Sequence, residues 1–151
     1  MNKFTNILFL CLLFVFFSTK SFTQEAQQYK DIENPDNFIN ARAAFEKIEG
    51  SISEGNVESL SDFFSSQMYL SLTNGISGYY SSNQAYYVLE DFFKNYRVID
   101  FKFNNIKNGE DNVYATGLYN FVFNEKRESA QVYVSIKRAG KEWKITQLTI
   151  N

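Results

Sequence analysis

The second half of the chain, residues 98–150, constrains the fold most, because apolar and polar positions alternate along nearly all of it. Such alternation is typical of strands that bury one face. Short turns rich in Asn, Gly, Glu and Lys interrupt the pattern, and strands joined by short turns pair antiparallel. The sequence therefore predicts a four-stranded meander, with strands over residues 98–106, 113–123, 130–138 and 142–150.

One face of these strands is strongly apolar, and we expect helices to cover it. Alternation predicts that Ile99, Phe101 and Phe103 point inward from the first strand. The other inward positions are Val113, Ala115, Gly117, Tyr119, Phe121 and Phe123 on the second strand and Ala130, Val132, Val134 and Ile136 on the third.

The opposite face of the meander mixes polar side chains with Tyr114, Leu118, Val122 and Tyr133. A half-apolar face of this kind often meets a partner. These four residues are therefore candidates for a homodimer contact through the sheet. The alternative is that they are scattered surface residues, which need no explanation.

The first half of the chain has helical periodicity. Asn34 followed by Pro35 predicts a helix start, with Asn34 as the N-cap and Pro35 in the first helical position. Gly55 is predicted to end this helix, and Asn56 to cap a short second one. Apolar residues at spacings of three and four form the stripe of the first helix: Phe38, Ala41, Phe45, Ile48 and Ile52.

A short hairpin is predicted between the second and third helices. Residues 68–72 and 76–80 read as strands around an Asn-Gly turn. Ser81 and Gln84 then form a capping-box pair that opens the third helix. The second helix is expected to carry Val57, Leu60, Phe63 and Phe64, and the third Ala85, Val88, Leu89, Phe92, Phe93 and Tyr96.

The N-terminal residues are typical of a cleavable signal peptide. Lys3 precedes an unbroken apolar run over residues 7–17, which is shorter than the roughly 20 residues that a spanning helix needs. Ser21 and Thr23 predict cleavage before Gln24. A buried helix and an uncleaved anchor are the alternatives.

These patterns predict three segments: a signal peptide over residues 1–23, a flexible lead-in over 24–35 and one folded domain over 36–151. The protein is expected to be exported to the periplasm or secreted, in a Gram-negative envelope, with no stable membrane anchor after cleavage.

Composition excludes several kinds of site. The chain has no histidine and one cysteine, Cys11, which lies in the apolar run. Histidine-based catalysis, a disulfide framework and a thiolate zinc site are therefore excluded, and we expect neither metal nor cofactor. The net charge of −2 argues against nucleic acid as a partner.

Three sequence features carry a family resemblance. They are Ala43-Ala44-Phe45 with Ile48 on the first helix, residues 55–60 at the start of the second, and Lys-Glu-Trp-Lys-Ile over residues 141–145. With the order of elements, they resemble the nuclear transport factor 2-like superfamily, also described as cystatin-like or ketosteroid-isomerase-like. The chain is similar in particular to small exported bacterial members described only as a domain of unknown function. The resemblance implies an α+β fold, with three N-terminal helices packed on a curved, cone-shaped antiparallel sheet.

The resemblance also sets out the alternatives for function. The cone holds a catalytic site in some members of the superfamily, a small ligand in others and nothing in many. A tyrosine beside an inward carboxylate would suit an isomerase or dehydratase, but alternation points Asp100 outward and Asp62 lies on the exposed side of its helix. We assign no catalytic residue, and expect a non-catalytic binding or interaction module, with the small enzyme as the alternative.

Aromatic side chains near the expected cone are the candidates for binding a small apolar ligand, since tyrosine offers an apolar ring and one hydroxyl. The alternative for each is core packing. An open cone with a carboxylate beside a tyrosine would indicate the enzyme, and a filled cone would leave the interaction role. The ligand candidates are Tyr69, Tyr79, Tyr80, Tyr119 and Trp143.

Overall fold

A computed structural model describes residues 35–151, which form three helices and one six-stranded sheet. The predicted signal peptide, the lead-in up to residue 34 and the N-cap role of Asn34 lie outside the described residues. The helices are α1 (Pro35–Ser53), α2 (Val57–Ser61) and α3 (Ser82–Asn95). The strands are β1 (Phe64–Leu72), β2 (Ser77–Ser81), β3 (Arg97–Asn108), β4 (Val113–Phe123), β5 (Lys126–Ala139) and β6 (Glu142–Ile150).

The strands lie in the order β2-β1-β6-β5-β4-β3. Strands β3 to β6 form the predicted antiparallel meander. The predicted hairpin, β1 and β2, extends the same sheet, because β1 pairs with β6 in parallel. The α+β fold with helices on a curved sheet is therefore confirmed. The prediction of a wholly antiparallel sheet is wrong, because β1 reaches the meander by pairing in parallel with β6.

The first strand begins earlier than predicted. Phe63 and Phe64 both lie outside the second helix, which ends at Ser61, and Phe64 belongs to β1. The cause is pairing across the sheet: Phe64 lies opposite Ile145 on β6 and is buried. The register then shifts before Tyr69, so the first part of β1 bulges.

The predicted inward orientation of Ile99 is also wrong. A register shift between Val98 and Asp100 breaks the alternation at this point of β3. Ile99 is left 44% exposed, while Val98 packs against the core and Phe101 is buried. The bulge thus moves one large apolar side chain to the surface.

Helix α1 packs on β3 and protects that edge of the sheet. Ala41, Phe45, Ile48 and Ile52 of its predicted stripe are fully buried, and Phe38 packs on the core at its margin. Two polar side chains of α1 also pair with backbone groups of the edge strand. The Phe103 N–H donates to Glu49 Oε2 (2.7 Å), and Ser53 Oγ donates to the Phe101 carbonyl (2.9 Å). An unpaired strand edge can recruit another strand. The contacts from α1 occupy the backbone groups in the middle of β3 and so block such pairing there.

The capping box at the start of α3 gives a first testable prediction. The Ser81 N–H donates to Gln84 Oε1 (3.0 Å), and the Ser81 side chain accepts from the Gln84 N–H. Ser81→Ala should lower the free energy of unfolding by about 1 kcal/mol, because it leaves a helix N–H without its partner. Urea denaturation measures the loss. Asn83→Ala, at an exposed position in the same turn, is the control, and an equal loss in both variants would contradict the capping role.

Candidate interaction surface on the outer face of the sheet

The space between the helices and the sheet is filled by aromatic rings. Phe45 meets Phe103 edge to face at 5.4 Å between ring centres, and Phe101 meets Phe103 at 4.8 Å. Tyr96 stacks on both Phe92 and Phe123 at 4.5 Å. The rings that are buried here are Phe45, Phe92, Phe93, Phe101, Phe103, Tyr119 and Phe121. Aromatic packing of this kind occupies the position of the expected cone.

Tyr119 lies at the centre of this packing and is fully buried. Its hydroxyl donates a hydrogen bond to the Tyr96 carbonyl at 2.6 Å. Burial raises the pKa of Tyr119 well above its usual range, so its hydroxyl stays neutral. The hydroxyl proton of Tyr119 is therefore held in a hydrogen bond within the fold, where the chain passes from α3 to β3.

The interior of the described domain lacks the carboxylate that an isomerase-type site needs. Between residues 35 and 151 the buried polar side chains are Ser51 and Ser135. Asp100 is exposed, as alternation predicts, and accepts a hydrogen bond from Asn120 Nδ2 at 2.7 Å. Asp62 is also exposed. Tyr119 consequently has no acid or base of this type beside it in the core.

Two of the ligand candidates lie elsewhere at the margin of the core. Tyr80 points inward from β2 and is half-buried. Trp143 is only 9% exposed and lines an open groove of about 990 Å³ between α1, α2 and the β5–β6 hairpin. Lys144 also lines this groove and donates to the Asp62 carbonyl (2.8 Å). Its hydrogen bond to Glu142 (2.8 Å) lowers the pKa of that exposed carboxyl. Charges of both signs line the groove, which argues against a purely apolar ligand there.

The outer face of the sheet, opposite the helices, brings the remaining candidates together. Tyr114 and Tyr133 lie on β4 and β5, with ring centres 5.6 Å apart. Tyr69 and Tyr79 lie on β1 and β2, with ring centres 5.2 Å apart. The sequence assigns the first pair to a dimer contact and the second to a ligand site, but both pairs lie on one surface.

Strand register makes this surface continuous. Tyr114 lies opposite Ser135, Ser135 opposite Gln147, Gln147 opposite Tyr69, and Tyr69 opposite Tyr79. The next row runs across the same strands through Thr116, Tyr133, Thr149, Ser71 and Ser77. Leu118 and Gln131 form a third row. We call these twelve residues the tyrosine face.

The tyrosine face carries no charged side chain. Its hydroxyl and amide groups form a local hydrogen-bond network, in which Tyr69 Oη pairs with Ser77 Oγ (2.8 Å) and Gln147 Nε2 donates to Thr149 Oγ1 (3.3 Å). Charged side chains lie at its margins. Lys102 and Lys107 on β3 lie opposite Leu118 and Tyr114, while Lys137 lies beyond Ser135 on β5.

Val122, the fourth dimer candidate, lies apart from the other three. It is half-buried on the same side of β4, between Arg97 and Arg127 of the neighbouring strands. The two arginines put Val122 on the charged margin. Leu118, at 40% exposure, is the aliphatic side chain that the tyrosine face offers to solvent.

Sequence reasoning missed the polar residues that connect the two tyrosine pairs. Gln147 and Thr149 are half-buried on β6, between Tyr133 and Tyr69. Alternation along β6 could have placed them outward. It could not have placed them beside β1, because the parallel pairing of β1 with β6 leaves no local pattern in the sequence.

A family model described as "Domain of unknown function (DUF4783)" matches residues 45–151 of the chain. No curated protein matches it significantly.

Solved structures support the same fold. A DUF4783 family protein from Bacteroides uniformis is 20% identical, with a TM-score of 0.63 over 70% of this chain and 94% of that one. A protein of ketosteroid isomerase-like fold from Catenulispora acidiphila, in complex with trimethylamine, is 10% identical, with a TM-score of 0.57 over 71% and 82%. A protein of cystatin-like fold from Nostoc punctiforme is 17% identical, with a TM-score of 0.56 over 78% and 91%. The resemblance found in the sequence is thereby confirmed at the level of the fold.

Proposed function

This chain belongs to the DUF4783 family, a domain family of unknown function, and we propose that it is an exported, non-catalytic interaction module that binds a protein partner through its tyrosine face. The observation that carries the proposal is the contrast between the two sides of the sheet. The inner side is closed by aromatic packing, and the outer side presents the tyrosine face, whose twelve residues include four tyrosines and no charged side chain.

The closed inner side supports a role without a small-molecule substrate. Ligand pockets are concave and place a few polar groups against the ligand. Here the hydroxyl of Tyr119 donates to the Tyr96 carbonyl, and the rings of Phe101 and Phe121 pack against the ring of Tyr119. An apolar ligand in the cone, or an isomerase or dehydratase reaction, would require this packing to open.

The composition of the outer side supports contact with a protein. The cores of protein interfaces are enriched in tyrosine and depleted of charged residues, and their rims are polar. The tyrosine face has a similar division, with four tyrosines among its twelve uncharged residues, Lys102 and Lys107 along its β3 side and Lys137 beyond Ser135. Removing its neutral hydroxyls and amides from water costs less than removing charges.

Export is part of the proposal and rests on the N-terminal sequence. Residues 1–23 combine Lys3, the apolar run and a small-residue cleavage pattern. The described domain, residues 35–151, contains no helix long and apolar enough to cross a membrane. We therefore assign export to the signal peptide and partner binding to the folded domain.

Photo-cross-linking in cells tests the proposed surface. The photoreactive p-benzoylphenylalanine replaces Leu118, and in a separate strain it replaces Ile39 on α1. Ile39 is the more exposed of the two, at 62% against 40% for Leu118, so random collisions would favour the control. We expect a discrete cross-linked product only from position 118. Equal products from both positions, or none from position 118, would contradict the proposal.

A further inference from the structure

We propose that the protein partner of the tyrosine face presents an extended acidic segment, whose carboxylates pair with a row of basic side chains along β3. The row consists of Arg97, Lys102 and Lys107, and we call it the cation row. This inference rests on the proposed function, and it names the chemistry of the partner for the same surface. The position of the three residues, their lack of partners and their spacing carry it.

Two bulges place the cation row on the outer face of the sheet. Successive side chains of a regular strand point to opposite faces, so residues five apart do not share a face. The register of β3 against β4 shifts before Asp100 and again before Asn105. Each shift adds one residue to β3, and bulges re-aim the side chains around them. The three basic residues therefore lie on the side of the tyrosine face, opposite Val122, Leu118 and Tyr114 respectively.

The side chains of the cation row have no partner within the described part of the chain. All three are exposed, and none forms an ion pair or a side-chain hydrogen bond between residues 35 and 151. Asp100 lies between two of them, but it accepts from Asn120 Nδ2 at 2.7 Å and pairs with neither cation. Carboxylates also lie near the two ends of the row without pairing to it: Glu54, Glu58, Glu90, Glu110 and Asp111. The row can therefore pair with carboxylates from outside the domain.

The charge of the whole chain makes the row selective for one orientation. The chain has a net charge of −2, so most of its surface does not attract an acidic protein. An acidic partner that approaches the outer face meets the cation row beside the tyrosine face. Complementary charges of this kind raise the association rate and fix the orientation of the partner.

The spacing of the row suits an extended segment. Neighbouring cations lie opposite β4 residues that are four apart, which corresponds to roughly 14 Å along the sheet. Side chains four residues apart on an extended chain share one face and span the same distance of roughly 14 Å. On a helix about nine residues span it, and side chains nine apart lie on opposite sides. The phosphates of a nucleic acid strand recur every 3.4 Å or so, and most would meet no cation.

The segment must be held through its side chains, over the face and not at the edge of the sheet. Glu49 and Ser53 of α1 already bond to backbone groups in the middle of β3. A further strand therefore cannot pair with β3 at this point. A segment that lies over Lys102 and Lys107 is also next to Leu118 of the tyrosine face. The ion pairs and the uncharged contact consequently belong to one interface.

Photo-cross-linking from Asn105 tests the chemistry of the partner. Asn105 is exposed on β3 between the two lysines, opposite Thr116. The full chain with p-benzoylphenylalanine at this position is irradiated in cells, and the cross-linked peptide of the partner is sequenced by mass spectrometry. We expect a peptide with aspartate or glutamate at spacings of four residues. A peptide without such carboxylates would overturn the inference, and a product that nuclease removes would also overturn the proposed function.

Charge variants of the row test whether it binds the segment. Lys102→Glu combined with Lys107→Glu should lower the yield of product from position 105 at least about 10-fold, because like charges then meet across the contact. Lys102→Glu alone should lower it by a smaller factor. Lys102→Arg combined with Lys107→Arg keeps both charges and should preserve the yield. Lys47→Glu, at an exposed position of α1, is the matched control and should also preserve it.

Further outcomes separate this inference from the proposed function. The variants should keep the thermal unfolding midpoint of the unchanged chain, since every substituted side chain is exposed. An unchanged yield in the glutamate variants, or equal losses in these and in Lys47→Glu, would overturn the role of the cation row. A product from position 118 would still support the proposed function in that case. No product from either position would overturn both.

Discussion

Replacing Phe45 with alanine is expected to lower the free energy of unfolding by about 4 kcal/mol, because it removes a large side chain from the core. Phe45 is fully buried on α1 and meets Phe103 edge to face. Its removal takes a ring out of the packing that fills the cone, and the surrounding sheet can collapse only in part. Urea denaturation followed by tryptophan fluorescence measures the loss.

The matched control for Phe45 lies two turns earlier on the same helix. Phe38 is only half-buried and has the Arg42 guanidinium 5.8 Å from its ring centre. Phe38→Ala should cost about 1 kcal/mol, because solvent already reaches the site. Similar losses in the two variants would contradict the conclusion that the Phe45 ring helps to fill the cone.

The Phe45→Ala variant also tests whether the unchanged interior is closed. Apolar cavities made by such substitutions stay dry and bind small apolar molecules such as benzene. Benzene should therefore raise the melting temperature of Phe45→Ala and leave that of the unchanged chain almost constant. A comparable rise in the unchanged chain would show that an apolar cavity is already present, and would restore the cone as a ligand site.

Replacing Gly117 with alanine is expected to lower the free energy of unfolding by about 3 kcal/mol, because the added Cβ overpacks the contact between β3 and β4. A Cβ at this position would lie 2.4 Å from the Lys102 carbonyl oxygen and 3.0 Å from the Phe101 ring. The first of these is backbone of the neighbouring strand, so β3 must move away from β4. The thermal unfolding midpoint should fall accordingly.

Gly50 provides the matched control for this change. A Cβ added there meets no atom within 4 Å, and the residue lies inside helix α1. Gly50→Ala should raise the free energy of unfolding by about 0.5–1 kcal/mol, because alanine favours the helix and restricts the unfolded chain. Opposite signs at the two glycines are predicted, and a loss at Gly50 or neutrality at Gly117 would contradict the packing described.

The elements governed by local chemistry could be predicted from the sequence. The bounds of β4 and β6 agree with the alternation of residues 113–123 and 142–150, and the helix start at Ser81 agrees with its capping box. In each case the signal and the structure involve neighbouring residues. Short turns between the strands then settle the antiparallel order of the meander.

The elements governed by distant contacts could not be predicted in this way. Phe64 becomes part of β1 because it pairs with Ile145, and Ile99 turns outward because β3 bulges against β4. The same limit applies to the candidate site. Tyr69 reaches the surface of Tyr114 only through Gln147 and the parallel β1–β6 pair, which no local pattern encodes.

Native mass spectrometry of the protein purified from the envelope of its own host shows whether the interior holds a ligand, because it reports any small molecule that stays bound. A filled interior predicts no mass beyond that of the protein chains. A tightly bound small molecule that remains after purification would contradict the filled cone.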